Sequence, residues 1–173
     1  MSSGTLSRVP RPSGVPSRAA SAVIGVTRDL QVAEIHVFQG DEAVLDVTAA
    51  VEEIASRRPI LEAAYDPWRY RGEALRLERS HRLTMVEFGQ SHARMTAASE
   101  SLHAAIVEGR LSHPGHPDLD RAVAGAIAKS TGRGWRLEQS ERSAQIDAVV
   151  SLAMAVERAS VPAARAPRIL GWV

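Results

Sequence analysis

One stretch, Ile60–Tyr70, constrains this chain more than any other. A short apolar run, Ile60, Leu61, Ala63, Ala64 and Tyr65, stops at Asp66-Pro67-Trp68 and gives way to a helix-like segment. A run of that length bounded by proline has the form of a buried strand with a fixed end. The proline drives the residue before it into an extended conformation, which predicts a helix starting only after Trp68. An acidic side chain is thereby pinned at the carboxyl end of a core strand, the edge of an open α/β sheet where sites form. An aspartate in that place also serves simply to end a strand in a turn, so Asp66 alone does not decide between the two.

A second carboxylate bears on the choice. Gln145 to Val156 forms an almost wholly apolar helical segment whose single acid is Asp147, in its first turn. Burying a lone charge is costly unless it is paired or coordinated. The competing explanation is an acid favoured by the positive end of the helix macrodipole. Together, Asp66 and Asp147 form a candidate site.

The remaining pattern supplies a scaffold. Ser21–Thr27 and Val32–Phe38 are strand-like, the second alternating with period two, and a hairpin turning near Arg28–Gln31 follows. Ala43-Val44-Leu45 reads as a short third strand, with Asp46 capping a helix that runs to Arg58 and stops at Pro59. Arg69–Ser80 is predicted helical and Leu83–Phe88 a strand. A long helix follows, capped by Ser91 and ended by Gly109. Arg110–Pro117 is a loop, Asp118–Lys129 an alanine-rich helix, and Trp135–Glu138 a short strand before the Asp147 helix. A hairpin followed by alternating strands and helices predicts an α/β fold with a mixed central sheet flanked by helices.

With 173 residues the chain suits one domain with a real core. The expected division is a basic, Ser-, Pro- and Arg-rich disordered tail over 1–20, a domain over 21–160 and a C-terminal tail over 161–173. The net charge of +1 gives no strong overall field toward nucleic acid, so a DNA role requires a local basic patch. Cysteine is absent, which excludes disulfides and thiolate metal sites and suits a reducing compartment. No apolar run approaches the roughly 20 residues of a membrane span, and the N-terminal stretch lacks the apolar region of a secretory signal.

Several chemistries drop out on motif grounds. Ser130–Gly134 lacks the phosphate-loop pattern, and no G-x-S-x-G elbow is present. His113 and His116 have ligand-like spacing, but two prolines and a glycine favour an exposed loop over a metal site. Arg69, Arg71, Arg76, Arg79 and Arg82 follow Asp66 closely, fitting either a phosphate-facing surface or a solvated helix face.

Tyr65-Asp66-Pro67-Trp68-Arg69, then Val86-Glu87-Phe88-Gly89-Gln90 with Arg94-Met95 and Ala98-Ser99, resemble the nuclease domain of the phage terminase large subunit. Gly109–His113 with Asp118-Leu119, and Ile146-Asp147-Ala148 with Ala153-Met154-Ala155, extend the resemblance in the same order, over about Val23 to Ala159. The resemblance implies a ribonuclease H-like fold that cuts double-stranded viral DNA in the bacterial host cytoplasm, working with a terminase ATPase, a small terminase subunit and a portal. It also implies two divalent metals, Mg²⁺ or Mn²⁺, held by acidic residues. Asp66 matches the aspartate after the inner strand and Asp147 that of the last helix. Carboxylate oxygens suit such hard cations, and a pair about 3.5–4 Å apart activates water and stabilises the leaving oxygen of a phosphodiester.

The chain also departs from the family. The pattern G-x-D in the first strand is Gly25-Val26-Thr27 here, followed directly by Arg28-Asp29. Either Asp29 replaces the missing ligand from the hairpin, or one of three carboxylates is lost. Glu34 and Glu138 are alternative sources of a third. A lysine common before the last aspartate is replaced by Glu138-Gln139-Ser140. The resemblance does not extend to an ATPase domain, so the expectation is a cutter alone, as a gene fragment, a split subunit or a prophage remnant. A metal-dependent endonuclease with Asp66, Asp147 and Asp29 as ligands thus stands against a catalytically dead, DNA- or partner-binding domain. A resolvase- or transposase-like enzyme fits the two aspartates but not the other motifs.

Overall fold

The computed structural model describes residues 20–40, 42–132, 134–141 and 144–161. The tails expected over 1–20 and 161–173 lie outside the described residues, apart from Ala20 and Val161. Strand β1 (Ala20–Val26) pairs antiparallel with β2 (Val32–Gln39), as the alternation predicts, with a register shift between Gly25 and Val26. The turn is closed by Leu30 NH on the Thr27 carbonyl at 3.0 Å and by Gln31 NH on Thr27 Oγ1 at 3.1 Å. Gly25 lies opposite Glu34, and a Cβ added there would sit 2.9 Å from the Glu34 Cβ. Only glycine lets the two strands approach so closely.

Helix α1 spans Ala43–Arg57 and absorbs the short strand expected at Ala43–Leu45. The Glu42 carbonyl accepts from Leu45 NH and Asp46 NH, so those apolar residues form the first turn. Asp46 therefore sits inside that turn, facing the positive helix end, rather than capping it. Arg58, extended before Pro59, ends the helix.

Strand β3 (Ala63–Tyr65) is shorter than the apolar run suggests and pairs in parallel with β4 (Met85–Glu87). Between them crosses α2 (Pro67–His81), which starts two residues earlier than predicted. Asp66 is extended, as expected before proline, yet Pro67 fits the first helical position, where its fixed φ and missing N–H cost nothing. Helix α3 (His92–Val107) is capped by Ser91, whose Oγ accepts from Arg94 NH, and Gly109 follows it with φ +66°.

The predicted helix Asp118–Lys129 is replaced by α4 (Pro117–Ala124) and strand β5 (Ala126–Thr131). Alanine propensity loses there to tertiary pairing: β5 forms an antiparallel ladder with β6 (Gly134–Gln139). Helix α5 (Asp147–Ser160) closes the fold. Antiparallel and parallel pairs are both present, and the ladders are two-stranded among the described residues.

The core gathers where α5 packs against α3 and β1. Val149, Leu152, Ala153 and Val156 of α5 meet Met95, Ala98, Leu102 and Ala105 of α3, with Phe88 and Val32 completing the cluster. The alanines at the contact let the two helices approach closely. Ser99, buried on α3, donates to the Met95 carbonyl and accepts from Leu137 NH at 3.0 Å, so one hydroxyl anchors the β5–β6 hairpin to the core.

Glu34 is the one buried carboxylate among the described residues, 7% exposed. Arg57 donates to both its oxygens at 2.9 Å, while Arg58 Nε and His36 Nε2 lie 3.3 and 3.1 Å away. Burial by itself would raise this carboxyl, but the hydrogen bonds from Arg57 and His36 and the two guanidinium charges outweigh it and hold the carboxyl below its ordinary range. A carboxylate lowered in the folded state stabilises fully above its unfolded pKa and loses that contribution as pH falls through the folded one. Glu34→Ala is therefore expected to cost about 2 kcal/mol at pH 7, through the loss of charge-assisted bonds. Thermal melts of the two proteins should converge as the pH is taken well below 4.5, the ordinary value of the group.

Candidate active site

A cleft of about 1190 Å³ runs between β1 and β3, bounded by α1 on one side and α5 on the other. Thr27, Arg28, Asp66, Arg69, Gln90 and Asp147 line it. The two carboxylates arrive there for different local reasons. Asp66 ends β3 and caps α2, its Oδ1 accepting from Trp68 NH at 3.1 Å. Asp147 is the first residue of α5 and is brought to the cleft by the burial of that helix against the core. Burial pushes the Asp147 carboxyl up, against the opposing pull of its own backbone amide and the charge of Arg69. Its carboxylate makes no ion pair among the described residues.

Asp29 is exposed in the β1–β2 turn and does not line the cleft. Position 27, where β1 reaches the cleft, carries a hydroxyl that accepts from Gln31 NH. Of the three aspartates singled out from sequence, the fold brings Asp66 and Asp147 to one cleft and leaves Asp29 outside its lining. Glu34 lines the same cleft but is clamped by its arginines. Glu138 lies on β6, paired with Arg136 at 2.6 Å and Lys129 at 3.6 Å. Among the described residues no three His, Cys, Asp or Glu side chains group closely enough to hold a metal ion. His113 and His116 are local: the Nδ1 of each accepts a backbone N–H, from Gly115 and Asp118, the latter capping α4.

Two lining residues, Glu62 and Arg28, were not singled out from the sequence, whereas Arg69 belongs to the arginine cluster noted after Asp66. Glu62 interrupts the apolar run before Asp66 and is held by Arg158 of α5 through two bonds of 2.6 and 2.9 Å. Its carboxyl is held low chiefly by those bonds. Arg28 and Arg69 face the cleft without an ion pair among the described residues. The break in apolarity at Glu62 was a readable signal. The placement of Arg28 was not, since it depends on tertiary packing that no local pattern records.

Residues 30–162 match the family model of the terminase large subunit, endonuclease domain. The chain belongs to that family. It is 31% identical over 118 residues to the terminase large subunit of Enterobacteria phage HK97, covering 66% of this chain and 23% of that protein. The crystal structure of the HK97 large terminase superposes with a TM-score of 0.58 at 27% identity, over 69% of this chain and 25% of the other. The large terminase nuclease of thermophilic phage G20c is similar in fold, with a TM-score of 0.65 at 15% identity, over 84% of this chain and 82% of that one. A structure of the G20c nuclease with bound magnesium matches with a TM-score of 0.60 at 14% identity, over 86% and 83% of the two chains. The fold is thus that of a terminase nuclease, ribonuclease H-like, as the motif order implies. No helix among the described residues is long and apolar enough to cross a membrane.

Within this terminase nuclease domain Asp147 is poised against its own stability. A carboxyl raised in the folded state penalises folding once pH passes the folded value, and the penalty vanishes below the ordinary value of 3.8. In EDTA at pH 7, Asp147→Asn should melt at a higher temperature than the parent, with the gap closing as pH approaches 4. A variant that melts lower at pH 7 would mean that the helix dipole outweighs burial at this position.

Proposed function

We propose that this domain is a divalent-metal-dependent endonuclease that cuts double-stranded, concatemeric viral DNA during genome packaging, with Asp66 and Asp147 as its metal-binding carboxylates. The observation that carries this reading is that two acids far apart in sequence, Asp66 just after β3 and Asp147 at the start of α5, line one cleft together with Arg28 and Arg69. The donor chemistry fits a hard cation. Mg²⁺ binds through one or two carboxylates and leaves its other positions to water and phosphate oxygens, and Mn²⁺ favours the same donors. The magnesium-bound G20c nuclease supports that choice. Two protein carboxylates supply one such cation more readily than two. A bound cation lowers the pKa of water and polarises the phosphodiester.

The chain's own residues then divide the work. Asp66, a lining residue of the cleft, has one oxygen on the Trp68 amide, which leaves the other for a cation. Asp147, raised by burial, gains a favourable charge partner when a cation sits beside it. Arg28 and Arg69 are placed to hold phosphate oxygens, which guanidinium groups pair with strongly. The HK97 relative extends well beyond the matched region, since this chain spans 23% of its length. An ATPase motor, a small terminase subunit and a portal are its proposed partners, in the cytoplasm of a bacterial host.

Plasmid nicking in Mn²⁺ tests the assignment. Asp66→Ala and Asp147→Ala should each lose at least the roughly 10–100-fold that removing even an outer-shell partner of a metal costs. Asp29→Ala should cut like the parent. Cutting that survives both of the first two changes would place the chemistry elsewhere.

Thr27 favours a second reading, a domain that binds DNA without cutting it, because β1 brings a hydroxyl to the cleft where the family has a carboxylate. Thr27→Asp separates the two. Metal affinity rises with ligand charge, so titration calorimetry should show Mn²⁺ bound roughly tenfold more tightly or better. A parent that is inert while Thr27→Asp cuts would favour the binding domain, and unchanged Mn²⁺ affinity would remove position 27 from the site.

A further inference from the structure

Asp66 follows β3 and Asp147 starts α5, two elements with little to hold them at a fixed angle. Strand β3 takes its ladder bonds from β4, and no ladder joins it to β1 among the described residues. Of its three residues, only Ala64 packs against the core cluster. One polar link ties this strand to α5 among the described residues. Glu62, immediately before β3, accepts from Arg158 Nε at 2.6 Å on one oxygen and from Arg158 Nη2 at 2.9 Å on the other. A two-bond fork fixes distance and angle together, which a point charge does not. The two side chains are 31% and 23% exposed, so solvent screens the pair less than it would at the open surface.

The clamp and the acids sit at opposite ends of the same two elements. From Glu62, four residues of extended chain carry the backbone about 13 Å to Asp66. From Arg158, eleven residues of helix lead back about 16 Å to Asp147. The far ends meet again: both acids line the cleft, and Arg69, three residues beyond Asp66, acts electrostatically on Asp147. Two arms of similar length, fixed together at one end, hold their other ends in register. A small change of angle at the clamp becomes a larger displacement at the acids.

We propose that Glu62 and Arg158 are positioning residues that set the separation of Asp66 and Asp147, and through it the affinity of the cleft for a divalent cation. The inference rests on the reading of those two aspartates as metal ligands. Glu62 itself stays off the cation, since the guanidinium occupies both its oxygens.

Titration calorimetry with Mn²⁺, in the absence of DNA, tests the clamp apart from any cutting. Glu62→Gln and Arg158→Gln should each bind Mn²⁺ roughly tenfold more weakly or worse, the scale of losing a group that supports a metal ligand. The double variant should lose no more than either single change, because both act through one contact. Ser99→Ala, which breaks the anchor of the β5–β6 hairpin outside the cleft, supplies a destabilised control and should bind Mn²⁺ like the parent. Arg158→Lys keeps the charge and gives up the fork, so it serves where Arg158→Gln fails to fold and should still lose affinity. Parent-like affinity in Glu62→Gln or Arg158→Lys, additive losses in the double variant, or an equal loss in Ser99→Ala overturns the proposal. So does tighter binding by Arg158→Gln, which would make the released Glu62 a ligand. A parent that binds no Mn²⁺, or whose binding survives both Asp66→Ala and Asp147→Ala, removes the metal-site reading and this inference together. Loss of the cation in those two variants while Glu62→Gln retains it removes only the inference.

Discussion

The packing of α5 between α3 and β1 is the constraint on which the rest depends. That helix buries Ala148, Val149, Leu152, Ala153, Met154 and Val156, and small residues on both helices allow the close approach. Ser151 adds a bond from its hydroxyl to the Ala22 carbonyl of β1 at 3.3 Å. Asp147 reaches the cleft because it is the first residue of a helix whose position is set by apolar burial. Its carboxyl is partly desolvated as a by-product, and a functional group whose environment opposes its charge is a common sign of a site.

Charge is managed differently on the two sides of the cleft. Toward α1, Glu34 is neutralised by Arg57, Arg58 and His36, and toward the end of α5, Glu62 is neutralised by Arg158. These pairs join β2 to α1 and the start of β3 to α5, and they leave little net field of their own. Asp66 and Asp147 have no such partners, while Arg28 and Arg69 carry charge into the same space. The result is a cleft lined by two carboxylates and two guanidiniums outside any ion pair among the described residues, an arrangement that suits the cation and phosphate of the proposed reaction.

Much of this was legible in the chain because the governing signals are local. Asp66-Pro67, Ser91 and Gly109 mark element ends through backbone sterics and capping, and the alternation over Val32–Phe38 marks a strand through its period. Where tertiary forces decide, the pattern misleads. Ala43-Val44-Leu45 resembles a strand yet forms a helical turn, because the Glu42 carbonyl captures the amides that follow. Ala126-Ile127-Ala128 favours a helix by composition and becomes a strand, because β6 offers a complete ladder. The candidate site was half legible: two acids stood out against apolar surroundings and Arg69 stood in a basic cluster, while the placement of Thr27 and Arg28 at the cleft follows from tertiary packing, which no local window contains.

The cap at Asp66 has a consequence for how a cation would be received. With one oxygen held by the Trp68 amide, the side chain has given up part of its rotational freedom in the folded protein. On the proposed function, its second oxygen would meet an incoming ion with less entropy to lose, a preorganisation set by the same proline-bounded turn that ends the strand. Asn at that position would keep the acceptor and the turn while deleting the charge, so rigidity and electrostatics at this proposed ligand are separable properties of a single residue.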